Sequence, residues 1–331
     1  MTLNRAQLVR ILYWGAAALL MGGCNHPAGE ISNRITFKKK LSEYALFRGE
    51  MRNLVPADGV MPIQISSALF TDYADKQRLI RIPAATKLVI RGDGLPVFPD
   101  GSLLVKTFFY PKANHSGRQI IETRLLLYSG GHWNAATYRW NAAQTEADLL
   151  TGGAVVPVYF QDSSGKSRHL EYKIPAQRDC GTCHRSGNEL VPLGPQVKNL
   201  NRNVNRDGKS VNQLGYFMEN GLFAHGDRKG ISTLPDYRDA SLPLKYRARS
   251  YLEINYAHCH RENGSAAGTS LSLSYTTPFD QTGIAYNREN IVIRMQTMGE
   301  YHMPKIGTTI PDAEGVQLIR DYIKSLARED Q

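Results

Sequence analysis

Cysteine is scarce in this chain: four in 331 residues, at Cys24, Cys180, Cys183 and Cys259. That is too few for the disulfide framework on which small exported domains depend. Basic runs are absent beyond Lys38 to Lys40 and no nucleic-acid motif accompanies that one, so the net charge of +10 reads as a solvated basic surface. Such a surface suits acidic protein partners or anionic membranes, and nucleic acid is not expected. No glycine-rich phosphate loop, Ser/His/Asp nucleophile pattern or helix-borne pair of metal ligands can be located, and no repeat of solenoid length recurs. Past the first two dozen residues, no apolar stretch approaches the roughly 20 residues a membrane span needs. What is present is a 42% hydrophobic chain, long enough to fill two ordinary cores.

The N-terminus supplies a compartment. Arg5 and Arg10 form a positive region, Ile11 to Met21 an apolar core, and Gly22, Gly23 and Cys24 a small-residue cleavage site. The stretch resembles a bacterial lipoprotein signal over residues 1–23, with Met21 where leucine is usual and Cys24 as the lipidated first mature residue. An ordinary signal peptide cut nearby is the alternative. Loss of 1–23 removes two arginines and no acid, which leaves the mature chain at +8. The resemblance implies a periplasm-facing lipoprotein of the bacterial cell envelope, held by its lipid at the outer membrane. Residues 24–40 lack periodicity and read as a tether.

From 41 to 178 the chain consists of short β-branched and aromatic runs, RLIRIP, TKLVIRG, SLLVKTFFYP, QIIETRLLLYSGG, HWNAATYRWN, AVVPVYF and SRHLEYKIP, broken by Gly, Pro, Asp and Ser. An antiparallel, β-sandwich-like half is expected, with DSSGK at 162–166 as a hairpin loop and Gly165 at positive φ. After Pro175 the character changes. Leu214, Phe217, Met218 and Leu222 have helical spacing, KYRARSYLEINYA at 245–257 reads helical, and Val316, Ile319, Ile323 and Leu326 share one face of a terminal helix started by Pro311 and Asp312. The fold class is therefore α+β, with a first haem-binding segment at 179–240 and an α-helical domain at 241–331.

Those boundaries rest on two motifs. CGTCH at Cys180 to His184 sets two thiols three residues apart, so one helical turn brings both to the vinyl groups of a haem while His184 meets the iron. A zinc half-site and a thioredoxin-type dithiol are the competing readings. The second motif, NYAHCH at 255–260, keeps Cys259 and His260 but has Tyr256 where the first cysteine would stand. A buried free cysteine beside a capping histidine is its bland reading. Against that, Met303 in YHMPKIGTT lies 43 residues after His260, in a Met-Pro loop followed by an apolar helix, the order of parts in small class I cytochromes c. Met303 is then an axial ligand, while Met295 and Met298 are packing residues. For the first iron, Met218 and His225 are the candidate opposite ligands. His115, His132 and His169 read as surface or hydrogen-bonded residues, and Trp133, Tyr138 and Trp140 as core.

Segments along nearly the whole mature chain carry a resemblance: YALFRGEMRNLVPADGVMP, FTDYADKQRLIRIP, FPDGSLLVKTFFY, IETRLLLYSGGHW, TYRWNAAQTEADLL, IPAQRDCGTCH, PLGPQVKNLNR and RARSYLEINYAHCH. The chain is similar to the exported diheme c-type cytochromes with a β-rich first half, often encoded beside a parallel β-helix repeat protein. The resemblance implies haem c, a class I cytochrome c-like C-terminal domain, and electron transfer with a periplasmic or membrane redox partner, but no named reaction. The family has both cysteines in its second motif, so with Tyr256 the chain is expected to carry one or two haems, the second held by the single sulfur of Cys259, with a noncovalent haem or no second haem as the alternatives. A haem enzyme with an open coordination site and a β-rich ligand-binding module are the other functional readings.

Overall fold

The structure is a computed structural model that describes residues 35–112, 117–162 and 165–329, without the side chains of 327–329. Cys24, the signal segment and His115 lie outside the described residues. The architecture is mixed, with a β-rich, antiparallel N-terminal half and helices in the C-terminal part.

Six strands form an antiparallel sheet in chain order: β1 Met61–Pro62, β2 Asp75–Arg81, β3 Leu103–Pro111, β4 Arg118–Ser129, β5 His132–Trp140 and β6 Ala147–Leu150. A separate hairpin of β7 Ala154–Gln161 and β8 Ser167–Ile174 comes next, and Gly165 in its loop takes φ +79°. Alternation along β3 and β4, with a bulge at Ile121 opposite Phe108 and Phe109, sorts side chains to two faces. Leu103, Val105 and Leu125 go to one face, where Phe37, Leu41 and Leu46 cover them. Phe108, Tyr110 and Ile121 belong to a second core, packed against Val158, Phe160, Leu170 and Tyr172 of the hairpin. Both faces of β3 are therefore buried, which explains its almost unbroken apolar run. Among the described residues, the second layer expected of a sandwich is this one hairpin.

Several finer expectations shift. TKLVIRG is no strand: Leu88 makes an isolated bridge to Phe223 and Val89 one to Val97. Structured packing begins before Leu41, because Phe37 is buried and Lys40 bridges Asp148, so the described end of the expected tether belongs to the core. The polar stretch near 201–212 is a ribbon of Asn203–Arg206 against Lys209–Asn212, turned by Asp207 and Gly208, both at positive φ, a pairing that two-residue hairpins favour.

Helices Gln213–Glu219, Leu244–Leu252 and Ala313–Glu329 occupy the expected places. Ile284–Gln296 adds another. Tyr251, Leu252, Ile284, Met295, Val316, Ile319 and Tyr322 form the helical core. Gly315 is required there, since a Cβ at that position would collide with the Tyr251 hydroxyl. No described helix is long and apolar enough to cross a membrane.

Polar contacts fasten the two halves and so fix what lies between them. The Asp72 carboxylate accepts from Thr309 N (2.7 Å), Thr309 Oγ1 (2.7 Å) and Ile310 N (3.2 Å), which holds the loop after Met303. Ser67 Oγ meets Ser250 Oγ at 2.8 Å, and Asn255 Oδ1 accepts from Phe70 N at 2.8 Å, all in buried surroundings. Lys198 and Glu253 pair at 2.6 Å.

Candidate functional site

Between the sheet and the C-terminal helices lies a cavity that opens to solvent. Its walls combine Cys180, Cys183 and His184 with Tyr256, His258, Met295, His302 and Met303, and the sheet contributes Arg78, Lys106 and Arg124. The first motif and much of the second region therefore share one chamber.

The helical turn Cys180–His184 is joined to β8 through a short 3-10 turn, Gln177–Asp179. Asp179 accepts from Ala176 N at 3.0 Å, which secures the entry to the turn. His184 Nδ1 lies 2.9 Å from Val191 O. A carbonyl can only accept, so Nδ1 carries the proton and Nε2 keeps its lone pair, the arrangement found for metal-ligating histidines. Burial pushes His184 down to about 4, with Lys106 and Arg124 adding repulsion, so the imidazole is neutral near pH 7.

The thiols argue against dithiol chemistry. Burial raises Cys180, and it pushes Cys183 up to about 11 with the help of neighbouring Cys259. A redox dithiol needs the opposite shift, because the thiolate is the nucleophile. Zinc lacks its remaining ligands: among the described residues no group of three or more His, Cys, Asp or Glu converges on one point. The three described cysteines are free.

The second motif is placed differently from expectation. Cys259 Sγ sits 3.9 Å from Thr182 O, against the first motif, and neither Cys259 nor His260 is on the cavity wall that holds Met303. His260 is nevertheless oriented. Its Nδ1 is 3.1 Å from Thr269 Oγ1, whose own proton goes to Ala266 O at 2.8 Å, so Nδ1 donates and Nε2 is unprotonated. Gly264 permits the chain to close tightly here, since a Cβ would strike Cys259 O. Tyr256 is buried, and its hydroxyl reaches Met303 O at 3.4 Å.

Neither Met218 nor His225 lines the cavity with His184. Met218 is on the buried face of Gln213–Glu219, and His225 is exposed on a loop. His132 pairs with Glu189 at 2.7 Å, while His169 meets Glu171 and stacks on Tyr159. Trp133, Tyr138 and Trp140 are core, Met295 is buried and Met298 exposed.

Two features go unread in the sequence. One is a cationic row across neighbouring strands, Arg78 facing Lys106 and Lys106 facing Arg124, with Lys76 one pleat further along β2. Glu122 is the carboxylate that offsets it: its oxygens lie 2.6 and 2.9 Å from Arg124. Burial, then repulsion from Arg78, Lys76 and Arg124, drives Lys106 well below its ordinary value. The signal is in the alternation, Lys106 and Arg124 falling on the same face as apolar neighbours. The other is His258, whose Nδ1 is buried without a partner; such an orphan costs about 1–3 kcal/mol.

The row makes stability depend on pH. Burial, with repulsion from Arg78 and Arg238, pushes Lys76 down to about 7 from 10.5. Between those values the unfolded chain binds a proton that the folded chain does not, so unfolding takes up a proton and stability rises with pH. In a calorimetric series the thermal midpoint should climb between pH 7 and about pH 9, below the range in which the raised Cys183 thiol acts in the opposite direction, and Lys76→Met should flatten that climb. A midpoint that falls or stays level in the parent protein across this window contradicts the assignment.

No protein-family model, curated protein or solved structure matches the chain.

Proposed function

We propose that this protein is an exported c-type cytochrome that carries electrons, with haem c held at Cys180, Cys183 and His184. The observation that carries the reading is the placement of both thiols and the unprotonated Nε2 tautomer of His184 on the wall of one chamber. The residues fit the group. Cys180 and Cys183 on one helical turn would supply its sulfurs, His184, oriented by Val191 O, its proximal nitrogen, and Ile254, Met295 and Val316 on the cavity wall an apolar surround. Haem c supplies a one-electron couple when bound.

The chain's own residues do the rest. Cys180 and Cys183 would tether the porphyrin, and His184 would ligate its iron. Arg78, Lys106 and Arg124 would give the two propionates a cationic wall, and this relieves the mutual repulsion among those side chains. In this reading the C-terminal helices form the class I cytochrome c-like domain. A second haem would use Cys259 and His260, with Met303 on the wall that serves His184. Cys24 would carry a lipid that holds the protein at the envelope membrane, and the basic surface would steer an acidic redox partner.

Intact mass of the mature protein, taken under denaturing conditions from cells that mature cytochromes c, tests the reading. The expected mass includes the lipid on Cys24 and at least one haem. A chain of apoprotein mass whose Cys180 and Cys183 both alkylate would overturn it.

A further inference from the structure

Besides His184, the imidazole and thioether side chains on the cavity wall are His258, Met295, His302 and Met303, of which Met295 is buried in the helical core. Their surroundings separate them. His302 is engaged through Nε2, 3.1 Å from Thr308 Oγ1; its Nδ1 makes no full hydrogen bond, but the ring lies against the backbone of Thr297 and Arg294. Met303 packs with the helical core, and its backbone is held by Arg294 O and Tyr256 Oη.

His258 is unengaged. It is 8% exposed and lines the cavity; its Nδ1 is buried with no partner. Buried ring nitrogens are nearly always bonded, so an imidazole held this way in a chamber already containing His184 lacks the group that would satisfy it. His258 and His184 line the same cavity.

Local backbone supplies the aim. The helix Leu244–Leu252 passes into a π-turn at Glu253–Ala257, immediately before His258. A π-turn inserts one residue into the helical repeat and so rotates the residues beyond it by about 100°. This re-phasing moves the NYAHCH segment relative to the helix that carries it. His258 is then directed to the cavity, while Cys259 and His260 are not on its wall.

We propose that His258 is the second axial ligand of the iron held by His184, so that the middle residue of the incomplete second motif completes the coordination of the first haem. The inference rests on the cytochrome reading above. It makes the first site a bis-imidazole centre of lower potential than a His/Met centre and leaves Met303 free of that iron.

Near-infrared magnetic circular dichroism of the oxidised, haem-loaded protein tells bis-imidazole from His/Met ligation. The parent protein should show a bis-imidazole band that persists in Met303→Ala. In His258→Met that band should give way to a His/Met band, with a rise in reduction potential. In His258→Ala the iron should become high-spin, and added imidazole should restore the low-spin spectrum. The proposal is overturned if the parent lacks a bis-imidazole band, or if that band survives His258→Met or His258→Ala. A mature protein without covalent haem sinks the cytochrome reading and this ligand together; coloured protein with an unmoved spectrum sinks the ligand alone.

Discussion

Mature protein in which Cys180 and Cys183 are both replaced by alanine should contain one covalent haem fewer than the parent, and this is the largest effect expected of any substitution in the chain. The two sulfurs lie on a single turn, Cys180–His184, on the cavity wall. With both gone no other described cysteine lines that wall, because Cys259 is turned toward Thr182 O. The single variants Cys180→Ala and Cys183→Ala should each retain a haem through the remaining thioether, at reduced yield. Denaturing mass spectrometry of the four proteins makes the comparison. A dithiol enzyme predicts the contrary pattern: haem-free parent protein, readily alkylated thiols, and either single substitution as damaging as the double one. The raised pKa of Cys183, pushed up to about 11 by burial, already weighs against that pattern at neutral pH.

Much of the β-rich half is legible because its strands bury apolar residues at a period of two, or on both faces. SLLVKTFFYP is β3 and QIIETRLLLYS is β4 with little change of boundary. Where the pattern misleads, partners are missing. TKLVIRG has strand-like residues, yet Leu88 and Val89 find only isolated bridges, so its exposed Val89 is not part of a sheet. The helix Ile284–Gln296 goes unread because only Ile284, Ile291 and Met295 are buried along its 13 residues, while Tyr286 and Ile293 are exposed and blur its apolar face.

The site divides along the same line. CGTCH is a local pattern whose spacing states its own chemistry, and its residues are found together. The partner of His184 is a long-range matter. Sequence proximity favours Met218 and His225, whereas the chamber brings in His258, 74 positions after His184. Nothing in NYAHCH marks its middle residue: the direction of that imidazole depends on a π-turn and on packing between two halves of the chain. The cationic row is similarly long-range, since Arg78, Lys106 and Arg124 become neighbours only through strand register.

That row makes Glu122 the most sensitive position for stability. Its side chain is 0% exposed, it binds Arg124 through both oxygens, and Tyr172 donates to Oε1 at 2.7 Å. Burial by itself pulls Arg124 down, and the charge and hydrogen bonds of Glu122 more than reverse this. Removing the carboxylate leaves Arg124 uncompensated beside Lys106 and strands the Tyr172 hydroxyl. Loss of one partner from a fully buried pair costs about 3–5 kcal/mol, and Arg124 keeps 27% of its side chain exposed, so Glu122→Ala should lower the urea midpoint by the equivalent of about 2–3 kcal/mol. Glu122→Gln preserves volume and one acceptor but not charge, and should fall between. The double variant Glu122→Leu with Arg124→Leu separates the causes, because removing both ends of a buried pair is often close to neutral. Recovery of most of the lost stability in the double variant identifies the unpaired guanidinium as the cause. If instead the double variant is as unstable as Glu122→Ala, or if Glu122→Ala costs less than about 1 kcal/mol, the carboxylate is not what allows this sheet to present cations to the chamber.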